Sequence, residues 1–221
     1  MATLALFDLD HTLLSGDSDV LWCDWLMDEG VLERASFEAR NAEMQARYRA
    51  GTVSAQDFCG FYVSTLAGRS LAQWEPLRQR FLREAIVPRI PDAARAQVRM
   101  HQAAGDLLVM TTATNRVLTE LTAAHLGFEH LIATECEFGP DGTCTGRIAG
   151  EPNMRDGKLV RLHGWLQARG LSLEALDSIA YSDSINDAPL LGAARRAVAV
   201  DPDPRLAALA AERGWEVVRW R

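Results

Sequence analysis

The first apolar run of the chain, Leu4-Ala5-Leu6-Phe7, stops at two aspartates one residue apart, Asp8 and Asp10. A short uninterrupted hydrophobic run with polar ends fits a strand buried on both faces of a parallel sheet. From Asp92 onward the pattern alternates. Helical spacing over 93–104 ends at Gly105, a second helical stretch reaches Leu126 and closes at Gly127, and a third, 158–169, ends at Gly170. Glycine just past a helix accommodates the left-handed turn that terminates it. Between these lie strand-like stretches at 106–111, 130–133, 178–181, 197–200 and 216–218. Thr112 to Asn115 reads as the opening of the helix that reaches Leu126. Pro140-Asp141-Gly142 reads as a hairpin turn within 135–148, and Pro189 lies near the start of a late helix. Strands and helices in alternation predict an α/β domain built on a parallel sheet.

Residues 15–88 break that alternation. Apolar positions there recur at helical spacing (Val20, Leu21, Trp25, Leu26; then Phe58, Phe61, Tyr62, Leu66), and charge is dense from Glu33 to Arg49. Little of the stretch has strand character. It predicts a compact helical cap inserted after the first strand, with Pro88 and Pro91 bracketing the return to the core. The core is then 1–14 with 89–221, and the cap is 15–88.

Charge and cysteine usage exclude several functions. A net charge of −7 and a pI near 5.3 leave no basic footprint for nucleic acid or an anionic membrane surface. No apolar run approaches the ~18 residues of a membrane span, and no signal-type segment opens the chain, so a cytoplasmic protein, monomeric or homodimeric, is expected. Cys23, Cys59, Cys136 and Cys144 form no CxxC pair and no zinc-ligand spacing; reduced thiols are expected, with Cys136 and Cys144 flanking the hairpin.

The candidate chemistry sits at strand ends, where ligands of open parallel sheets bind. Three apolar strands run into polar clusters: Asp8/Asp10, Thr112/Thr114/Asn115, and Asp183/Asn186/Asp187; Lys158 stands at the start of a helix. Each alone has an ordinary reading, since Asp, Ser and Thr cap helices and a lone lysine is usually a solvated charge. Together they form a device. In extended geometry Asp8 and Asp10 point the same way, and their crowded charge calls for a cation; magnesium, which takes carboxylate, water and phosphate oxygens, suits Asp8, Asp10 and Asp183. Thr112, the backbone N–H groups opening its helix, and Lys158 offer donors to phosphate oxygens. One carboxylate can accept a phosphoryl group covalently, and a second can protonate the leaving alkoxide and later deprotonate water.

In order and spacing these residues resemble the haloacid dehalogenase superfamily, whose phosphatases carry DxDx[TV], a Ser/Thr after the second core strand, a Lys, and a late GDxxxD. Here they are Asp8-Leu9-Asp10-His11-Thr12, Thr112, Lys158 and Ser182-Asp183-Ser184-Ile185-Asn186-Asp187, with Ser182 in place of the usual glycine. The resemblance implies a Rossmann-like three-layer core with an all-helical cap. It implies Asp8 as nucleophile and magnesium ligand, and Asp10 as general acid/base with its carbonyl on the metal. Thr112 and Lys158 would hold phosphoryl oxygens, Asp183 would complete the metal ligands, and Asp187 would orient metal-bound water or Lys158. Retention of Asp10 points to a phosphatase rather than a dehalogenase.

A helical insertion at this place resembles the cap of the phosphoserine phosphatase subgroup. There an acidic residue meets the substrate ammonium, and by counting Asp17 takes that place; a cap arginine meets the substrate carboxylate, and counting puts Tyr62 there. Arg47, Arg49 or Arg69 would have to substitute. Without them the expected substrate is a small amine-bearing phosphomonoester lacking a carboxylate, of the histidinol phosphate type, with Trp22, Trp25, Phe61 or Tyr62 available to stack on an imidazole and Asn186 close to the substrate. Phosphoserine hydrolysis, phosphoryl transfer to another acceptor, and a non-catalytic binding module are the alternatives.

Overall fold

The structure, a computed structural model, describes residues 3–221 apart from the side chain of Arg49. Seven strands form one sheet in the order β4-β3-β2-β1-β5-β6-β7. They are β1 (Leu4–Phe7), β2 (Leu107–Asn115), β3 (His130–Phe138), β4 (Cys144–Ala149), β5 (Ser178–Ser182), β6 (Arg196–Val200) and β7 (Glu216–Val218). All neighbours run parallel except the β3–β4 hairpin at the edge. The apolar run Leu4–Phe7 becomes the central strand, and its period-two alternation serves both faces. Leu4 and Leu6 pack with Leu162, Leu166, Leu190 and Leu206; Ala5 and Phe7 pack with Ala94, Val98 and Phe128. Burying both faces needs helices on each side, which gives three layers.

The insertion after β1 is helical: α1 (Ser18–Asp28), α2 (Arg34–Arg49), α3 (Ala55–Val63) and α4 (Leu71–Phe81), the last running on into short helical turns as far as Arg89. Five edge-to-face or stacked rings, Trp22 with Trp74 and Phe81, and Phe37 with Phe61, form its interior. Buried Arg78 of α4 pairs with Glu120 of α6 (Arg116–His125), tying the insertion to the core. The remaining core helices are α5 (Asp92–Ala104), α7 (Asp156–Gln167), α8 (Ala188–Ala193) and α9 (Pro204–Arg213).

Three boundaries differ from the sequence expectation. The strand expected at 106–111 runs on to Asn115, because Thr112 and Asn115 pair with Ala133 and Thr134 of β3, and the helix starts only at Arg116. The short strand at 130–133 and the first arm of the hairpin are one continuous strand, parallel to β2 and then antiparallel to β4. Helix α9, which hydrophobic pattern alone did not reveal, carries an Asp203 cap and Pro204 in its first turn. All four cysteines are free and buried.

Candidate active site

Phe7 of β1 lies opposite Met110 on one side and Tyr181 on the other, so the loops after β1, β2 and β5 leave the sheet together. The loop after β1 then curls. Leu9 turns fully into the core, His11 takes a left-handed φ of 58°, and Asp8 and Asp10 line one cavity. The Lys158 ammonium, in the first turn of α7, bridges Oδ1 of Asp8 at 2.6 Å and Oδ2 of Asp187 at 2.7 Å. Ser182 Oγ donates to that same Asp187 oxygen at 2.7 Å and accepts the N–H of Ser184. A glycine there would leave Asp187 one contact poorer, so the departure from the family's usual residue adds an orienting group. Thr12 Oγ1 stands 3.0 Å from Asp8 and 3.1 Å from Asp183 and accepts the Asp183 N–H at 3.0 Å.

Asp10 is held differently. Its Oδ1 accepts the Ser18 N–H at 2.7 Å, where α1 begins, and its Oδ2 accepts from Thr114 at 2.8 Å and Thr112 at 3.3 Å. The Asp10 side chain is thus fixed between core and insertion.

Burial and crowding shape the charges. Burial pushes the Asp8 carboxyl well above its usual range against the opposing pull of Lys158. Burial likewise raises Asp183 to about 7, the Thr12 hydrogen bond opposing. Burial would lower the Lys158 ammonium, but Asp187 and Asp8 more than reverse it and hold it charged. Asp17 rises to about 7 through burial and its neighbour Asp10, and Asp19 rises well above its usual range through burial and Asp17.

The cavity these groups line is about 210 Å³, small even for a metabolite site. Six aspartates (8, 10, 17, 19, 183 and 187) face it with two cations, Lys158 and Arg155. One ammonium already shared by two carboxylates cannot neutralise that set. A hard divalent cation fits that set, and the Asp8 and Asp183 carboxylates, joined through Thr12, are oxygen donors of the kind it takes. Among the described residues no three acidic, cysteine or histidine side chains form a ready-made metal cluster.

Asp17 and Asn186 face this cavity, and Asn186 Nδ2 donates to the Tyr48 hydroxyl of α2 at 2.7 Å. Two expected residues do not face it. Thr112 is fully buried, its hydroxyl engaged with Asp10 and the Thr114 N–H, and the cavity wall at that strand end is Ala113 and Thr114. Tyr62 is 3% exposed among Phe58 and Phe61, its hydroxyl bonded to Gln45 and Asn41. Trp22, Trp25 and Phe61 also serve the interior of the insertion. Arg69 lies over Trp74, Arg47 does not line the cavity, and the Arg49 side chain falls outside the described residues. The aromatic wall comes instead from Tyr48 and Phe58, stacked with centroids 4.4 Å apart. Sequence reasoning missed these two, Asp19 and Arg155.

The model of the haloacid dehalogenase-like hydrolase family matches residues 5–192. The chain belongs to that family. Across its whole length it is 36% identical to a histidinol-phosphatase of Neisseria meningitidis serogroup C, all of which is covered. It is 34% identical to the phosphoserine phosphatase SerB1 of Mycobacterium tuberculosis, over 100% of this chain and 72% of that one. A solved structure of a protein of unknown function from Bordetella pertussis Tohama I superposes with a TM-score of 0.93 at 42% identity, over 99% of each chain. The protein is a phosphatase of the haloacid dehalogenase-like family. Phosphatases of this family are generally magnesium-dependent. Among the described residues no helix is long and apolar enough to cross a membrane.

Proposed function

We propose that the protein is a magnesium-dependent phosphomonoesterase that hydrolyses a small amine-bearing phosphometabolite of the histidinol phosphate type through an aspartyl-phosphate on Asp8. The observation that carries the substrate reading is the lining of the cavity: half-buried Asp17 and buried Asp19 share it with Asp8 and with the stacked rings of Tyr48 and Phe58. Two carboxyls held up by burial gain a counter-charge when an ammonium or imidazolium enters, and an aromatic face suits a flat ring.

In this reading Asp8 attacks phosphorus in line with the leaving alkoxide, Asp10 protonates that alkoxide, and Asp10 then takes a proton from the water that hydrolyses the intermediate. Lys158, positioned by Asp187, offsets the negative charge gathering at Asp8. Magnesium, when bound by Asp8, Asp183 and the Asp10 carbonyl, supplies charge neutralisation for the phosphoryl group. Thr12 fixes the spacing of Asp8 and Asp183. Thr112 supports Asp10 from behind, a role that differs from direct phosphate binding. Competition of histidinol phosphate against phosphoserine, read as kcat/KM with magnesium, tests the substrate. A ratio above one supports the reading, and a clear phosphoserine preference refutes it. Phosphoserine is the second reading, favoured by the resemblance to the mycobacterial enzyme.

A further inference from the structure

Arg155 occupies a backbone conformation that arginine does not choose. Its φ is 54° and ψ −126°. It follows Met154 in a turn closed by the Gly157 N–H on the Met154 carbonyl at 3.0 Å. That is the second position of a II′-type turn, where glycine is comfortable and a side chain is strained. The neighbours hold it there. A Cβ on Gly157 would come within 2.3 Å of the Pro152 carbonyl, so the chain has no slack on that side. Asn153 is held upstream by hydrogen bonds that its side-chain amide donates to the Thr111 hydroxyl and to the Thr112 and Ile132 carbonyls. Downstream, the Lys158 N–H is bonded to the Arg155 carbonyl.

The strain aims the side chain into the cavity, with its guanidinium 5.6 Å from the centre of the Tyr48 ring. Among the described residues no carboxylate or carbonyl accepts a hydrogen bond from it. The other cation of the cavity, Lys158, is spent on Asp8 and Asp187. Arg155 is therefore the uncommitted positive charge in a cavity that must admit a phosphate dianion among six aspartates.

We propose that Arg155 is a substrate-binding residue whose guanidinium grips a phosphoryl oxygen. The assignment rests on the phosphatase reading of this cavity and not on which amine the substrate carries. A guanidinium presents paired donors that match two phosphoryl oxygens. The same donors would suit a substrate carboxylate. Phosphate is favoured because every substrate of the reaction brings it and Lys158 alone does not answer its charge.

The test uses R155G, R155Q and R155K in the full-length protein. Steady-state kinetics are run on p-nitrophenyl phosphate, histidinol phosphate and phosphoserine, and calorimetry follows inorganic phosphate with magnesium. R155G is expected to melt at or above the wild-type temperature, since glycine relieves the turn. R155G and R155Q are expected to lose about 10–100-fold in KM on all three esters and similarly in phosphate affinity, as for removal of charge-assisted hydrogen bonds; R155K should recover part of both. Unchanged KM and phosphate affinity would overturn the proposal. So would a loss confined to phosphoserine, which would make Arg155 a carboxylate ligand. Calorimetry needs no turnover, so it judges Arg155 even if the wild-type protein hydrolyses none of these esters, an outcome that would count against the phosphatase reading instead.

Discussion

Replacing Asp17 with asparagine should stabilise the protein at alkaline pH while impairing it as a catalyst. Asp17 caps α1, its side chain accepting the Val20 N–H at 3.0 Å, and asparagine caps a helix equally well. What changes is charge. Burial and Asp10 raise the Asp17 carboxyl from 3.8 to about 7 in the folded protein. A raised acid destabilises the fold wherever it is ionised. The penalty is absent below the unfolded value near 4, grows between 4 and 7, and is complete above 7. Its full size is up to ~4 kcal/mol, from ~1.4 kcal/mol for each pH unit of the rise. For a chain of this length ~1 kcal/mol moves Tm by roughly 2–4 °C, so Asp17→Asn should raise Tm at pH 8.5 by up to roughly 8–16 °C. At pH 4 the two proteins should melt together. The assay is a thermal melt of both proteins without substrate across that pH range, paired with kcat/KM for histidinol phosphate and p-nitrophenyl phosphate. The amine-bearing ester should lose about 10–100-fold, the size of a lost charge-assisted hydrogen bond, and the neutral-tailed ester little. An equal or lower Tm at pH 8.5, or equal losses on both esters, would refute the argument.

Other expectations follow from the same geometry. Asp10→Asn should reduce kcat by ~10²–10⁴-fold, with a flattened pH–rate profile, and an unchanged profile would remove it from proton transfer. Lys158→Met leaves the buried carboxylates of Asp8 and Asp187 facing each other, and should destabilise the fold by ~3–5 kcal/mol at neutral pH in denaturant titration. Tyr48→Phe removes the acceptor for Asn186 and should cost about 0.5–1.5 kcal/mol of contact between the insertion and the core, read as a several-fold rise in KM. Chelation with EDTA should abolish turnover, and added magnesium should restore it.

Much of this site was visible in the chain because its central residues are strand endings, and strand endings follow from apolar runs. Asp8 and Asp183 needed only the rule that parallel strands deliver their loops to one sheet edge, whereas Lys158, in the first turn of α7, was reached through the family resemblance. Thr112 was misplaced for a related reason. The Thr-Thr-Ala-Thr stretch reads equally as a helix opening and as a β-branched strand, and pairing with β3, a long-range event, decides it. Tyr62 and the tryptophans show the limit within the insertion. Helical periodicity marks which residues turn inward, yet it cannot separate rings that fill the insertion's interior from rings that face the cavity. Tyr48 and Phe58 reach the cavity because α2 and α3 bring them to the same place. Arg155 left no trace in pattern at all, since its role depends on a backbone angle set by Gly157 and Asn153.

The claim beneath all of these is that Asp8 takes the phosphoryl group. Acid-quenched single turnover with magnesium, followed by peptide mass spectrometry, measures that directly. The account predicts a transient gain of one phosphoryl group on the peptide carrying Asp8, absent from Asp8→Asn and prolonged in Asp10→Asn. Turnover at normal rates with no phosphorylated peptide, or with the phosphoryl group on another residue, would contradict it.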